Sequence, residues 1–116
     1  MRYRVFEVPR TNEFVDALDV VPEDVTGEYA QRLTFRIGNE QLVLTFDVPG
    51  QSVHLLWTRD VVHVLEVFRE GAVSVRFRKG NGATTVLVDF RTDDQRGVLE
   101  VQVDPRFAVT DRLLFG

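Results

Sequence analysis

Apolar side chains recur at every second position through most of this chain, and where that rhythm pauses the residues are those that reverse direction. Val73, Val75 and Phe77 alternate with Ser74, Arg76 and Arg78, the period of a strand that buries one face and wets the other. Gly80-Asn81-Gly82-Ala83 follows. Asn-Gly between two such runs predicts a two-residue type I′ turn, because both central residues must take positive φ. Closing the chain there sets Phe77 opposite Val86, Val75 opposite Val88 and Val73 opposite Phe90. Upstream, Arg69-Glu70-Gly71 predicts a three-residue loop with Gly71 left-handed, which places Val67 opposite Val73, Leu65 opposite Val75 and His63 against Phe77. A two-residue loop would instead turn Glu66 inward, at a desolvation cost. Downstream, Asp93-Asp94-Gln95-Arg96 closes a longer loop that brings Phe90 opposite Leu99, Val88 opposite Val101 and Val86 opposite Val103. Pro105, with no N–H to donate, ends that ladder. Residues 61–103 thus read as a four-stranded antiparallel meander.

The same rhythm predicts a second hairpin before it. Leu33, Phe35 and Ile37 are answered by Leu42, Leu44, Phe46 and Val48, and a loop centred on Asn39-Glu40 sets Ile37 opposite Leu42 and Phe35 opposite Leu44. After Pro49-Gly50, Val53, Leu55 and Trp57 share one face of a further strand. Tyr3 to Val8 reads as a first strand that ends at an edge, because Pro9 follows. At Thr11 the period changes. Thr11 or Asn12 caps a short helix with Phe14, Val15, Leu18 and Val21 as its stripe, and Pro22 stops it. Past Pro105, Phe107, Val109, Leu113, Leu114 and Phe115 predict a closing strand. The fold class is mainly β with one short N-terminal α-helix, about seven to eight antiparallel strands in a curved sheet, a partly open barrel or a two-layer sandwich. With no linker or repeat, residues 1–116 read as one domain.

Composition narrows the chemistry. The absence of cysteine removes disulfides, thiolate nucleophiles and Cys-based metal sites. No apolar run is long enough for a membrane span or a signal core, so a cytoplasmic protein is expected. The net charge of −4 argues against direct nucleic-acid binding. Its distribution is uneven: between residues 11 and 31 stand Glu13, Asp16, Asp19, Glu23, Asp24 and Glu28, with no lysine or arginine among them.

No catalytic, cofactor or metal constellation emerges. Gly80 to Thr84 is followed by a strand where a phosphate loop needs a helix. His54, His63 and Asp60 match no ligand spacing, and Ser52 and His54 project side by side from one strand. Arg69, Arg76, Arg78 and Lys79 read as a charged outer surface that discourages sheet aggregation. The expected function is a non-enzymatic protein-binding module, of the immunity or inhibitor kind, that neutralises a basic toxin or nucleic-acid-modifying partner through Glu13, Asp16, Asp19, Glu23, Asp24 and Glu28. The alternative is a small-molecule-binding barrel or enzyme with a cavity lined by Phe35, Phe46, Trp57, Phe77 and Phe90. Either is compatible with a homodimer through an edge strand, Tyr3 to Val8 or Phe107 to Phe115.

Overall fold

The Asn81-Gly82 turn forms as its chemistry requires, with φ of 55° and 74° at the two central residues. In the computed structural model, which describes residues 5–25 and 29–115, it joins the sixth and seventh of nine strands. In chain order the elements are α1 (Thr11–Leu18), β1 (Glu23–Asp24), β2 (Ala30–Ile37), β3 (Glu40–Asp47), β4 (Ser52–Arg59), β5 (Val62–Glu70), β6 (Ala72–Gly80), β7 (Ala83–Arg91), β8 (Gln95–Asp104) and β9 (Ala108–Phe115). They build two antiparallel sheets, β1-β2-β3-β4-β5 and β6-β7-β8-β9, which do not close into a barrel. Each strand pairs with its neighbour in sequence, so each sheet is a meander. The inward rows of both sheets meet in one core that includes Leu33, Leu42, Leu44, Phe46, Val53 and Leu55 from the first and Val75, Val86, Val88, Phe90, Leu99 and Val101 from the second.

The meander expected over 61–103 is broken at Gly71. β5 pairs with β4 and not with β6: Leu65 lies opposite Trp57, Val67 opposite Leu55 and His63 opposite Thr58. Val73, Val75 and Phe77 are therefore not their partners. Gly71 does take positive φ, 87°, but the N–H groups of Gly71 and Ala72 both donate to the carbonyl of Gln51, at 2.9 and 3.0 Å. That capture carries the chain out of the first sheet and starts the second. The Arg91 N–H then bonds the Gly71 carbonyl at 2.9 Å, fixing the joint to β7.

Elsewhere the faces stand as expected except at Val73, and two of the registers move by two residues. Phe77 and Val75 do lie opposite Val86 and Val88, but a bulge at Val73 puts Ala72, not Val73, opposite Phe90. Gly38-Asn39 makes a tighter turn than one centred on Asn39-Glu40, so Ile37 meets Glu40 and Phe35 meets Leu42. Asp93-Asp94 likewise closes a short loop, with Val86 opposite Val101, Val88 opposite Leu99 and Phe90 opposite Gly97. A shift of two leaves each side chain on its own face.

Arg10, rather than Thr11 or Asn12, caps α1; its carbonyl accepts from Glu13 and Phe14, and its N–H reaches the Glu13 carboxylate at 3.4 Å. The helix ends in the left-handed Asp19, before Pro22 is reached. So short a helix needs tertiary support. Phe14 supplies it, fully buried between Phe46, stacked at 6.2 Å, and Phe77, edge-on at 5.5 Å. Val15 and Val21 are exposed, and Leu18 with Val20 makes up the rest of the contact. Within the described part of the expected strand Tyr3 to Val8, residues 5–8 form only one parallel bridge, Glu7 to Ser74, while Tyr3 lies outside the described residues.

Candidate functional site

The acidic segment does not converge on one point. Glu13 is spent on the first turn of α1. Asp16 and Asp19 border a depression of about 420 Å3 that also takes in Arg36, Lys79, Thr84 and Asp104. Glu23 is 3.7 Å from Arg32 across the β1–β2 pair, and Asp24 is exposed beside it. Glu28 lies outside the described residues. Asp16, Asp19 and Asp24 are all exposed.

The arginine row of β6 is matched by carboxylates within its own sheet. Arg76 grips Asp89 with two bonds of 2.7 and 2.8 Å, and the Ser74 hydroxyl donates to the same carboxylate at 2.7 Å. The Arg76 contact and then the Ser74 hydroxyl hold Asp89 below the usual carboxylate range against the opposing effect of burial, and the same pairing raises Arg76. Glu100 accepts Arg78 at 2.9 Å and Arg112 at 3.2 Å. Glu66 belongs to the other sheet, on β5. His54 Nε2 lies 2.7 Å from its Oε2, and that contact lowers its pKa. Among the described residues, no group of three or more His, Asp or Glu side chains could hold a metal. Phe35, Phe46 and Phe90 are buried in the core with Trp57 and Phe77 packed on them, Trp57 edge-on to Phe107 at 6.0 Å.

Apolar side chains stand open on β5 and at the turn before it. Phe68 is 59% exposed, Val64 42% and Val62 66%; Val61, at the preceding turn, is 94% exposed. Among the described residues, β5 has β4 on one side and no strand on the other. Val64 is the extra residue of a bulge between the pairs Trp57–Leu65 and Thr58–His63. The turn that presents Val61 is built without glycine: Asp60 and Val61 have φ of 50° and 58°. For a β-branched residue this is a strained conformation. It is held by the neighbouring β2–β3 turn, where Asn39 Nδ2 donates to Asp60 Oδ1 at 2.9 Å and the Asn39 carbonyl accepts the Asp60 N–H at 3.0 Å. The available signal was apolar residues on both faces of one run: Val62, Val64 and Phe68 beyond the Leu65 and Val67 that the core needs.

No protein-family model and no curated protein matches this chain. Among solved structures its fold is similar to that of a chain in the contact-dependent growth inhibition toxin–immunity protein complex from Klebsiella pneumoniae 342, with a TM-score of 0.83 at 12% identity over 97% of this chain and 100% of that one. At that identity the likeness is one of fold. Among the described residues, no helix is long and apolar enough to cross a membrane.

Proposed function

We propose that this chain is the immunity half of a toxin–immunity pair, a non-enzymatic protein that binds and neutralises a toxin domain. The observation that carries the reading is the fold likeness to a chain of such a complex along nearly the whole length of both. The immunity role is favoured over the toxin role by the way ionisable side chains are used: Arg76–Asp89, Arg78–Glu100–Arg112 and Arg69–Asp111 are cross-strand or cross-sheet ion pairs that stand apart from one another, with no shared reacting position between them. The acidic Asp16, Asp19 and Asp24, in a chain of net charge −4, suit a basic partner whose approach they would steer.

The test is to produce the full chain with the protein encoded beside it. A stoichiometric complex on sizing and restored growth of cells making that protein are expected, with no toxicity from this chain alone. Growth arrest by this chain alone, or failure of the two to associate, would overturn the reading. In the complex, reversing Asp16, Asp19 and Asp24 to lysine should slow association about tenfold at low salt, with less effect at high salt. An unchanged rate would remove the acidic side from the account.

A further inference from the structure

Among the described residues, two open sheets leave four edge strands, and an uncovered edge invites pairing with another chain. The edge at β1 is two residues long and doubly acidic, and the start of β6 is occupied by Glu7. β9 carries Asp111 and Arg112, bonded to Arg69 and Glu100. β5 shares the Arg69–Asp111 pair through its inward face, and differs in what its outward face presents. Beyond the bulge at Val64 it offers the straight run Leu65 to Glu70, with no proline or lysine, and with Phe68 exposed between two carboxylates on one face.

We infer that this run of β5 is the docking edge for an extended segment of the toxin, which adds to the first sheet as a further strand. The inference rests on the neutralisation reading and specifies its surface. Residues directly opposite in an added strand share a face. The incoming segment therefore presents basic, apolar and basic side chains in alternation against Glu66, Phe68 and Glu70, and apolar side chains over Leu65 and Val67. Val61, held rigidly at the end of the same strand, is the apolar point that enters a pocket of the partner.

The charge pattern speaks against a second copy of this chain as occupant. A twofold antiparallel pairing of β5 with itself must be centred on a residue if faces are to match. Centres at Leu65, Glu66, Val67 and Phe68 set Glu66 opposite Val64, Glu66, Phe68 and Glu70 of the other copy. Each choice places the carboxylate against an apolar or an acidic residue and none against a base. Within its own sheet Glu66 is bonded by His54, at 2.7 Å.

The experiment uses the full chain and the protein encoded beside it. Phe68→Lys, and separately Glu66→Lys with Glu70→Lys, should each weaken binding about 30-fold or more while the melting temperature stays near that of the unaltered chain. Hydrogen exchange on the unaltered complex gives a readout free of mutation: the amides of Leu65 to Glu70 should gain protection. Binding within threefold of the unaltered chain for both folded variants, with no protection gained on β5, would overturn the docking edge and leave the neutralisation reading standing. If the unaltered chain does not bind at all, both fall. A dimer of this chain alone that Phe68→Lys dissolves would also overturn the inference, in favour of self-association.

Discussion

Arg69 on β5 reaches across to Asp111 on β9, its Nη1 bonding both carboxylate oxygens at 2.5 and 2.6 Å, and so ties the free edges of the two sheets together. Its guanidinium carbon also sits 4.8 Å from the centre of the Phe90 ring. Arg69 falls on the inward row of β5, with Leu65 and Val67, yet near the strand's end, where a long side chain can leave its stem against the core and its charge at the rim. Where β5 and β6 were expected to be joined by a hairpin, this cross-sheet pair helps hold the corresponding side of the sandwich.

The pair and the ring contact make separable contributions. In a double-mutant cycle of Arg69→Met and Asp111→Asn, a coupling of about 0.5–1 kcal/mol is expected, because both groups keep partial access to water. Arg69→Met alone should cost roughly 1–2 kcal/mol, the excess reporting the lost cation–ring contact. Urea unfolding measures both, and zero coupling would show that the pair is incidental.

Gly97 is the position on β8 that lets this arrangement close. A Cβ there would stand 3.1 Å from the Arg112 carbonyl oxygen and 3.2 Å from Arg69 Nη2. The carbonyl belongs to a strand paired with β8 and has little room to retreat. Gly97→Ala should therefore destabilise by roughly 1–3 kcal/mol. In the Arg69→Met background the loss should be smaller, since one of the two obstructions is gone. Equal losses in both backgrounds would place the clash on the backbone alone.

Inward and outward faces were legible in the sequence because strand periodicity is local: Phe35, Phe46, Val75, Val86 and Leu99 are all inside. Turn length was less so. Gly38-Asn39 and Asp93-Asp94 each close two residues sooner than expected, and a shift of two changes partners without moving a side chain to the other face. The division into two sheets was not legible, because a hairpin and a crossover ask the same thing of Gly71, a positive φ. The deciding contact is the Gln51 carbonyl, twenty residues away. The exposed apolar residues of β5 went unread for a different reason: alternation with Leu65 and Val67 already puts Val64 and Phe68 outside, and only the structure shows how far they stand open.

Val61 offers a test in which stability and binding move in opposite directions. At φ of 58° a β-branched side chain costs about 1–2 kcal/mol that glycine avoids. Glycine gives back part of the gain through the freedom it has when unfolded. Val61→Gly also creates Asp-Gly, the pair that a type I′ turn favours. The variant should be more stable by up to about 1 kcal/mol and should bind the partner more weakly, because a 94% exposed valine contributes little to the fold by burial. A variant that is both more stable and undiminished in binding would separate Val61 from the docking surface.

Asp89 sets the expected response to acid. Arg76, followed by the Ser74 hydroxyl, favours its ionised form, so its folded-state pKa lies below that of the unfolded chain. Between the two values the unfolded state binds more protons, and stability falls as pH falls. The contribution is complete above the ordinary carboxylate range, from about pH 5 upward, and is lost as pH drops through the depressed folded value. Asp89→Asn removes this titration, so urea unfolding of the variant should show a shallower decline below about pH 4 than the unaltered chain. At neutral pH the same variant should be less stable by an amount on the order of 1 kcal/mol, since Arg76 is more than half exposed and its bond is screened. Parallel stability curves for the two proteins would mean that the Arg76–Asp89 contact, however short, is no stronger in the folded chain than in the unfolded one.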